Sequence, residues 1–294
     1  MGGLPRPRGG VRRAGVGPKR GEKYDRRPVG LSLDRRRVLL TGATGGLGRA
    51  IARALHARGA TVVATGRRED ALEALRSELG DRIEPLVADL AVHDDVVGLP
   101  ERAGHVDVLV ANAGLPASGR LDSFAPEEID RALDVNLRAP IQLARALVPP
   151  MVERGGGHLV FLSSLNGKMP SAGTSVYAAT KYGLRGFAAS LRAELCGAGV
   201  GATAVFPSFI AEAGMWADAR IELPRGVHLP SPDDVAAAVV RGIERDRGEI
   251  DVAPIPLRVA AALAGVAPGV VAAVGSRLGA GEVADQAAAA QRLK

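Results

Sequence analysis

The sequence is poor in cysteine, in aromatic residues and in lysine. Its one cysteine, Cys196, excludes an intrachain disulfide framework and favours a reducing compartment, so we expect a cytoplasmic protein. Aromatic residues make up 3% of the chain, and Ala, Val and Leu must therefore fill the core, for which an apolar content of 47% is ample. Only five of the 294 residues are lysine, against 33 arginines.

The net charge of +6 is unevenly distributed. Residues 1–37 contain twelve Arg or Lys and three Asp or Glu, a net of +9, which leaves −3 for the remainder. This basic segment is rich in Gly, Pro and Arg and has no apolar periodicity, so residues 1–35 are predicted to form a disordered tail. The segment lacks the apolar run of a secretory signal. We expect a passive tail and no specific nucleic-acid partner, with weak binding to nucleic acid or to an anionic surface as the alternative.

From residue 36 onward, short apolar runs alternate with helical patterns. The runs "RVLLTG", "ATVVATG", "HVDVLVANAG", "GHLVFLSS" and "GVGATAVFPS" are typical of strands buried on both faces, and one long helix is predicted over residues 126–152. Strands that alternate with helices predict an α/β fold, a doubly wound parallel sheet flanked by helices, over residues 36–254.

The last forty residues form a separate extension. Residues 255–294 are rich in Ala, Val and Leu and are predicted to be helical. No charged residue lies between Arg258 and Arg277, but Pro268 and Gly269 interrupt that run. We therefore expect a helical hairpin that packs on the domain or on a partner, with a membrane span or a surface-lying segment as the alternatives.

A cluster of four glycines follows the first predicted strand. Gly42, Gly45, Gly46 and Gly48 lie in "VLLTGATGGLGRAIA", between that strand and its helix. Glycines at such a turn let the backbone approach a pyrophosphate, whose charge is met by free N–H groups at the helix N-terminus. The second strand ends at Gly66 and is followed by Arg67, where an acidic residue would receive the ribose hydroxyls of NAD. An arginine there suits a 2′-phosphate, so NADP is favoured, with NAD as the alternative cofactor.

The motif "SVYAATK" places a lysine four residues after a tyrosine. On a helix, Tyr177 and Lys181 would share one face, and an ammonium near a phenol is expected to lower the pKa of the phenol. Arginine would supply charge but has too high a pKa to pass protons. The pair is therefore a candidate acid–base site.

Taken in order, these motifs resemble the short-chain dehydrogenase/reductase family. The resemblance covers roughly residues 36–253 and rests on Thr41 to Gly48, Asp89-Leu90, Asn112-Ala-Gly, Asn136, Ser164 and Tyr177-x-x-x-Lys181. It implies that Tyr177 is the acid–base group and that Lys181 lowers its pKa and binds the nicotinamide ribose. It also implies that Ser164 binds the substrate oxygen and that Asn136 holds a water beside Lys181.

The resemblance further implies a dinucleotide site. Asp89 would meet the adenine, with Leu90 beside it, and Ile210 would reach the nicotinamide through its backbone. The residues expected to bind the cofactor are Gly42, Thr44, Gly45, Leu47, Gly48, Arg67, Asp89, Leu90, Asn112, Ala113, Gly114, Tyr177, Lys181, Pro207 and Ile210. No metal site is expected.

The region after the sixth strand departs from the family pattern. Ser208 follows Pro207 where the family usually has glycine, so a positive φ at that position would strain the serine. A threonine that usually contacts the nicotinamide is replaced near Glu212. Met215 and Trp216, in the loop of residues 209–229, are expected to join Ser164 and Tyr177 in binding an apolar carbonyl substrate.

The sequence therefore predicts an NADPH-dependent carbonyl reductase or alcohol dehydrogenase. Family resemblance implies a homodimer or homotetramer that pairs through helices over residues 126–152 and 175–197. One alternative is an epimerase or dehydratase of the extended branch, because Gly42, Gly45 and Gly48 also fit that branch's spacing. A second alternative is a non-catalytic NADP-binding sensor or scaffold, which Ser208 would favour.

Overall fold

A computed structural model describes residues 30–210, 229–267 and 269, and all structural statements refer to these residues. Strands and helices alternate along them. The strands are β1 (Arg37–Thr41), β2 (Thr61–Gly66), β3 (Ile83–Val87), β4 (Val108–Ala111), β5 (Gly157–Leu162), β6 (Val200–Pro207) and β7 (Glu249–Val252). The α-helices are α1 (Gly46–Ala57), α2 (Glu69–Leu79), α3 (His93–Ala103), α4 (Pro126–Leu133), α5 (Ala139–Glu153), α6 (Ser175–Glu194), α7 (Pro232–Arg245) and α8 (Ile255–Ala264).

The seven strands form one parallel sheet in the order β3-β2-β1-β4-β5-β6-β7. The strand order reverses between β1 and β4, so the carboxyl ends of these two strands flank a crevice, where α/β sheets of this type bind ligands. The predicted doubly wound α/β fold is confirmed.

Helices cover both faces of the sheet, because successive side chains of each strand point to opposite faces. Leu40 of β1 is buried in one apolar cluster with residues of α1 and α7. Leu39 is buried in a second cluster, with residues of α3, α5 and α6. Aliphatic residues and alanine fill most of both clusters, as the low aromatic content requires.

The helix predicted over residues 126–152 is interrupted. A π-helical turn, Asp134–Arg138, separates α4 from α5 and places Asn136 in the protein interior. An extra residue in one helical turn is common at functional sites, where it turns a side chain toward a new partner. The predicted start at Pro126 is observed, at the first position of α4.

The boundary predicted for the N-terminal tail is wrong at its last residues. Leu31 and Leu33 are buried in the core, and the Leu31 N–H donates to the Ile243 carbonyl at 3.1 Å. Residues 30–35 therefore belong to the folded domain, because two leucines packed against α7 offset the cost of ordering this segment. Residues 1–29 lie outside the described residues, and a disordered tail there stays a prediction.

The C-terminal extension begins as predicted, with the helix α8. Residues 268 and 270–294 lie outside the described residues, so the rest of the predicted helical extension stays a prediction, as does the domain boundary at residue 254. Among the described helices, none combines the length and the apolar character needed to cross a membrane.

Candidate active site

One large cavity, of about 670 Å³, lies at the carboxyl end of the sheet beside the crevice between β1 and β4. All fifteen residues predicted to bind the cofactor line this cavity, and so does Ser164. Asn136 is buried behind the lining rather than in it. Met215, Trp216 and Glu212 lie outside the described residues, so the predictions about them remain open.

The glycine turn has room only for glycine at two positions. Gly42 has φ = +66°, and a Cβ atom there would lie 2.9 Å from the Ala113 Cα. A Cβ atom on Gly48 would lie 2.0 Å from the Gly42 carbonyl oxygen. Within the described part of the chain, no side chain caps the N-terminus of α1. The turn therefore presents free backbone N–H groups to the cavity, as an anion site requires.

Asn112 fastens the glycine turn to the end of β4. Its side-chain amide donates to the Thr41 and Gly42 carbonyls at 3.0 and 3.1 Å. The Thr41 hydroxyl oxygen accepts from the backbone N–H groups of Asn112 and Ala113, both at 3.0 Å. The amide of Asn112 thus shapes the cavity wall, while Ala113 and Gly114 form its surface.

The end of β2 is open and flanked by arginine. Gly66 and the exposed Arg67 both line the cavity, and a Cβ atom on Gly66 would lie 3.3 Å from the Thr44 hydroxyl. The carboxylate of Asp89 lies farther along the wall, where its Oδ2 is 4.0 Å from a guanidinium nitrogen of Arg131. A guanidinium and a hydroxyl therefore flank the opening at the end of β2.

The acid–base pair occupies the first turns of α6. Tyr177 and Lys181 are four residues apart on one helical face, both buried, and Lys181 Nζ lies 5.5 Å from the centre of the Tyr177 ring. Ser164 lines the same cavity, and its hydroxyl lies near enough to the Tyr177 hydroxyl to lower the pKa of the phenol. Lys181 Nζ donates to the Leu162 carbonyl at 2.8 Å. The structure thus brings together Ser164, Tyr177 and Lys181, and Asn136 lies close behind them: a Cβ atom on Gly114 would be 3.5 Å from Asn136 Oδ1 and 3.7 Å from Lys181 Nζ.

Burial dominates the ionisation of this pair. It raises the pKa of Tyr177 to about 12, although the hydrogen bond from Ser164 opposes that shift. Burial also lowers the pKa of Lys181 to about 8, because a charged ammonium loses its hydration in the protein interior. Desolvation of the phenolate is thus the larger effect on the pKa of Tyr177 in this pocket, and the lowering of that pKa by Lys181 stays a prediction.

Asn136 is tied to the loop after β4. Its Oδ1 accepts from the Leu115 N–H at 2.6 Å, and its Nδ2 donates to the Leu115 carbonyl at 2.9 Å. The same Nδ2 lies 3.5 Å from the Thr180 hydroxyl. This side chain therefore positions the cavity wall, and the water predicted beside Lys181 stays a prediction.

Ser208 fits its position without strain. The described non-glycine residues with positive φ are Arg35 and Asp246, so Ser208 does not adopt the left-handed conformation. Its N–H donates to the Val252 carbonyl at 3.0 Å, which continues the pairing of β6 with β7. The predicted strain is absent, and with it the feature that favoured a non-catalytic sensor.

Comparison with known proteins agrees with this geometry. The profile of the short chain dehydrogenase family matches residues 36–223. The chain belongs to the short-chain dehydrogenase family. The Ketoacyl reductase HetN of Nostoc sp. is 36% identical over 234 residues, which cover 77% of this chain and 81% of that protein.

The names of two further similar proteins mention NADP or NADPH. The NADP-dependent 3-hydroxy acid dehydrogenase YdfG of Salmonella typhi is 38% identical over 178 residues, 59% of this chain and 72% of that protein. A short-chain dehydrogenase from Sphingobium yanoikuyae, solved in complex with NADPH, superposes with a TM-score of 0.68 at 32% identity and covers 80% of this chain and 94% of that one.

A short-chain dehydrogenase is an oxidoreductase that binds a nicotinamide dinucleotide, and the residues present fit that group. The uncapped N-terminus of α1 and the two glycines that leave no space for a side chain suit a pyrophosphate. The sequence patterns did not identify several residues that line the cavity. Some lie at the carboxyl ends of strands and others on helices packed beside the cavity, so only the folded structure brings them together. These are Thr65, Ala88, Leu115, Pro116, Arg131, Val135, Leu162 and Ser163.

Proposed function

We propose that this short-chain dehydrogenase reduces the carbonyl group of an apolar small molecule with NADPH. The observation that carries the proposal is that Ser164 and the buried Tyr177 and Lys181 line the same cavity as the glycine turn and Arg67. Bound dinucleotide would supply the hydride, and the protein has to bind, orient and protonate the substrate.

Tyr177 is the proton donor in this proposal. With its pKa raised to about 12, the phenol stays protonated near neutral pH, which suits donation to a carbonyl oxygen. The reverse reaction would need a phenolate, whose formation burial disfavours. The protonated phenol is the form that the proposed reduction uses.

Ser164 and Lys181 support the phenol from two sides. The Ser164 hydroxyl lies near the Tyr177 hydroxyl, so a carbonyl oxygen placed between the two hydroxyls would meet two donors. Lys181 uses one N–H on the Leu162 carbonyl, and an ammonium has two more, which suit the hydroxyls of the nicotinamide ribose.

The preference for NADP over NAD rests on Arg67. It lines the cavity beside Gly66, directly after β2, where an acidic residue would receive the ribose hydroxyls of NAD. A guanidinium binds phosphate through charge-assisted hydrogen bonds, and the Thr44 hydroxyl lies next to the same opening. YdfG, which carries NADP dependence in its name, supports this preference.

The substrate class rests on the lining beside the tyrosine. Leu115, Pro116 and Leu162 contribute apolar surface there, and Met215 and Trp216 are proposed to add to it. Ketoacyl reductase HetN and 3-hydroxy acid dehydrogenase YdfG act, by their names, on oxo or hydroxy acids. We propose a carbonyl compound with an apolar chain, a cytoplasmic location, and a homodimer or homotetramer that pairs through α4, α5 and α6.

Titration of the purified protein with NADPH and NADH, followed by the fluorescence of the nicotinamide, tests the cofactor. Incubation with NADPH and a panel of ketones and aldehydes then tests the reaction by the disappearance of the reduced nicotinamide. The proposal expects tight NADPH binding and turnover of at least one apolar carbonyl compound. Binding of neither cofactor would contradict the assignment of the whole cavity.

A further inference from the structure

A buried lysine lies four residues after Ser164. The side chain of Lys168 is 8% exposed, and its Nζ contacts Asp251 Oδ1 at 2.6 Å and Glu249 Oε2 at 2.8 Å. The same Nζ lies 4.0 Å from the centre of the Phe206 ring, on β6. A buried ammonium has lost its hydration and needs partners of this kind. Two carboxylates of β7, the strand at the edge of the sheet, therefore hold the Lys168 side chain in place.

The segment from Ser164 to Lys168 is a tight turn that follows β5. The Gly167 N–H donates to the Ser164 carbonyl at 2.8 Å. A Cβ atom on Gly167 would lie 2.6 Å from the Ser163 hydroxyl oxygen and 2.8 Å from the Lys181 carbonyl oxygen. The turn is therefore packed closely against α6, and a shift of its last residue would displace its first.

Hydrogen bonds tie this turn to α6 on both sides. Before the turn, the Ser163 hydroxyl donates to the Lys181 carbonyl at 3.0 Å. At its end, the Tyr182 hydroxyl donates to the Lys168 carbonyl at 2.5 Å. The acid–base pair lies on α6 and Ser164 lies on the turn, so the distance between these groups depends on how the turn is fastened.

The hydroxyl of Ser164 takes its direction from the turn. Its oxygen accepts from the Asn166 N–H, within the turn, at 3.2 Å. The hydroxyl hydrogen is then available to donate to a substrate oxygen in the cavity, which Ser164 lines. The direction of that donation therefore depends on the shape of the turn.

We propose that Lys168 is a positioning residue, which sets the Ser164 hydroxyl against the substrate oxygen by fastening the turn to β7. The inference rests on the proposed function, in which Ser164 and Tyr177 both donate to the carbonyl oxygen. Lys168 is not among the described residues that line the cavity, so it acts through the turn and not by contact with the substrate. A small displacement of a hydrogen-bond donor weakens its contact with the transition state and slows the reaction.

Arg185 offers a comparison within the same group of charges. Its Nε donates to Glu249 at 2.9 Å, and its guanidinium lies 5.7 Å from the centre of the Phe206 ring, so it shares two partners with Lys168. Within the described part of the chain, its side-chain hydrogen bonds run from α6 to β7 and bypass the turn. Loss of either cation weakens the ion pairs on β7, but only the loss of Lys168 releases the turn.

A double-mutant cycle with Ser164 tests the inference in the full chain. The measured quantity is kcat for the NADPH-linked reduction of ethyl 3-oxohexanoate, a 3-oxo ester with an apolar chain. Lys168→Met should lower kcat by about 10- to 100-fold, with the Kd for NADPH within about twofold of the wild type. In a Ser164→Ala background the same substitution should change kcat by less than about twofold, because no hydroxyl is left to position.

Arg185→Met is the matched control, and its kcat should stay within about twofold of the parent enzyme in both backgrounds. A second variant keeps the test valid if Lys168→Met fails to fold, which circular dichroism would show. Tyr182→Phe removes the hydrogen bond to the Lys168 carbonyl and leaves every charge in place. It should lower kcat roughly threefold when Ser164 is present and not when it is absent.

Each outcome of the cycle separates the inference from the proposed function. Equal fold losses from Lys168→Met with and without the serine hydroxyl would overturn the inference, since the lysine would then act on stability alone. A loss from Arg185→Met as large as that from Lys168→Met would overturn it as well. A Ser164→Ala enzyme as active as the wild type would instead overturn the proposed role of Ser164, and the inference with it.

Discussion

The side chain of Asn136 forms two hydrogen bonds with the backbone of Leu115. It accepts from the Leu115 N–H at 2.6 Å and donates to the Leu115 carbonyl at 2.9 Å. The π-helical turn between α4 and α5 brings this side chain into the interior, and Leu115 lines the cavity one residue after Gly114. The π-helical turn therefore holds the cavity wall at Leu115, in the loop after β4, through the side chain of Asn136.

Replacing Asn136 with alanine should loosen that wall. Two backbone groups of the half-buried Leu115 would lose their partners, which costs about 1–3 kcal/mol of unfolding free energy. We expect NADPH affinity to fall as well, measured by fluorescence titration beside urea unfolding. An Asn136→Ala protein with unchanged stability and affinity would contradict this role.

Replacing Arg67 with glutamine should change cofactor preference. The loss of a charge-assisted contact to a 2′-phosphate is worth about 1.5–3 kcal/mol, so NADPH should bind roughly 10- to 100-fold more weakly while NADH binding stays the same. Arg68→Gln is the matched control, because Arg68 is adjacent and exposed but does not line the cavity. Equal effects of the two substitutions on NADPH would show that Arg67 acts only through overall charge.

The ionisation of Lys181 should appear in the pH profile of reduction. Its pKa is lowered to about 8 by burial, so the ammonium is present below that pH and is lost as the pH rises through it. We expect kcat/KM for NADPH-linked reduction to fall above about pH 8, since this parameter reports groups of the free enzyme. Lys181→Arg, which keeps its charge, should lack that limb of the profile. A wild-type profile flat to pH 10 would contradict the assignment.

His158 should make the protein sensitive to acid. Its Nε2 lies 2.8 Å from the Thr203 hydroxyl, and its Nδ1 has no hydrogen-bond partner in the described part of the chain. Burial lowers its pKa from 6.5 to about 4; the nearby Arg192 adds to that shift and Asp246 opposes it. As the pH falls, this histidine is protonated near pH 6.5 in the unfolded chain but only near pH 4 in the folded protein. The stability that neutral His158 contributes is therefore lost as the pH falls from about 6.5 to 4.

Urea unfolding at several pH values between 4 and 7 measures this effect. A shift of this size corresponds to at most about 3 kcal/mol. His158→Gln should flatten the dependence, whereas His93→Gln, at an exposed position of α3, should leave it unchanged. Parallel curves for the wild type and His158→Gln would refute the role of this histidine.

Local patterns made much of the fold predictable from the sequence. The positions of Gly42, Tyr177 and Lys181 depend on residues close to them in the sequence, within the glycine turn and within "SVYAATK". The amino-acid sequence alone therefore predicted that they lie at one site. Strands buried on both faces predicted the parallel sheet for the same reason.

Features that depend on distant parts of the chain could not be predicted. Leu31 and Leu33 are ordered by α7, which begins only at Pro232. The side-chain amide of Asn112 donates to carbonyls about 70 positions earlier in the chain. The sequence around Asn112 therefore did not predict that it holds the glycine turn in place. The pKa of Tyr177 depends on how deeply the phenol is buried, and the four-residue spacing to Lys181 carries no information about depth.

The most direct measurement is NADPH-linked reduction of a carbonyl substrate by the wild type and by Tyr177→Phe, with NADPH affinity measured on the same samples. The substitution removes the proton donor and retains the ring, so turnover should fall by about 10²- to 10⁴-fold while NADPH binds with an affinity within about twofold of the wild type. Tyr177→Phe that turns over substrate as fast as the wild type would contradict the central claim that this tyrosine protonates the carbonyl oxygen.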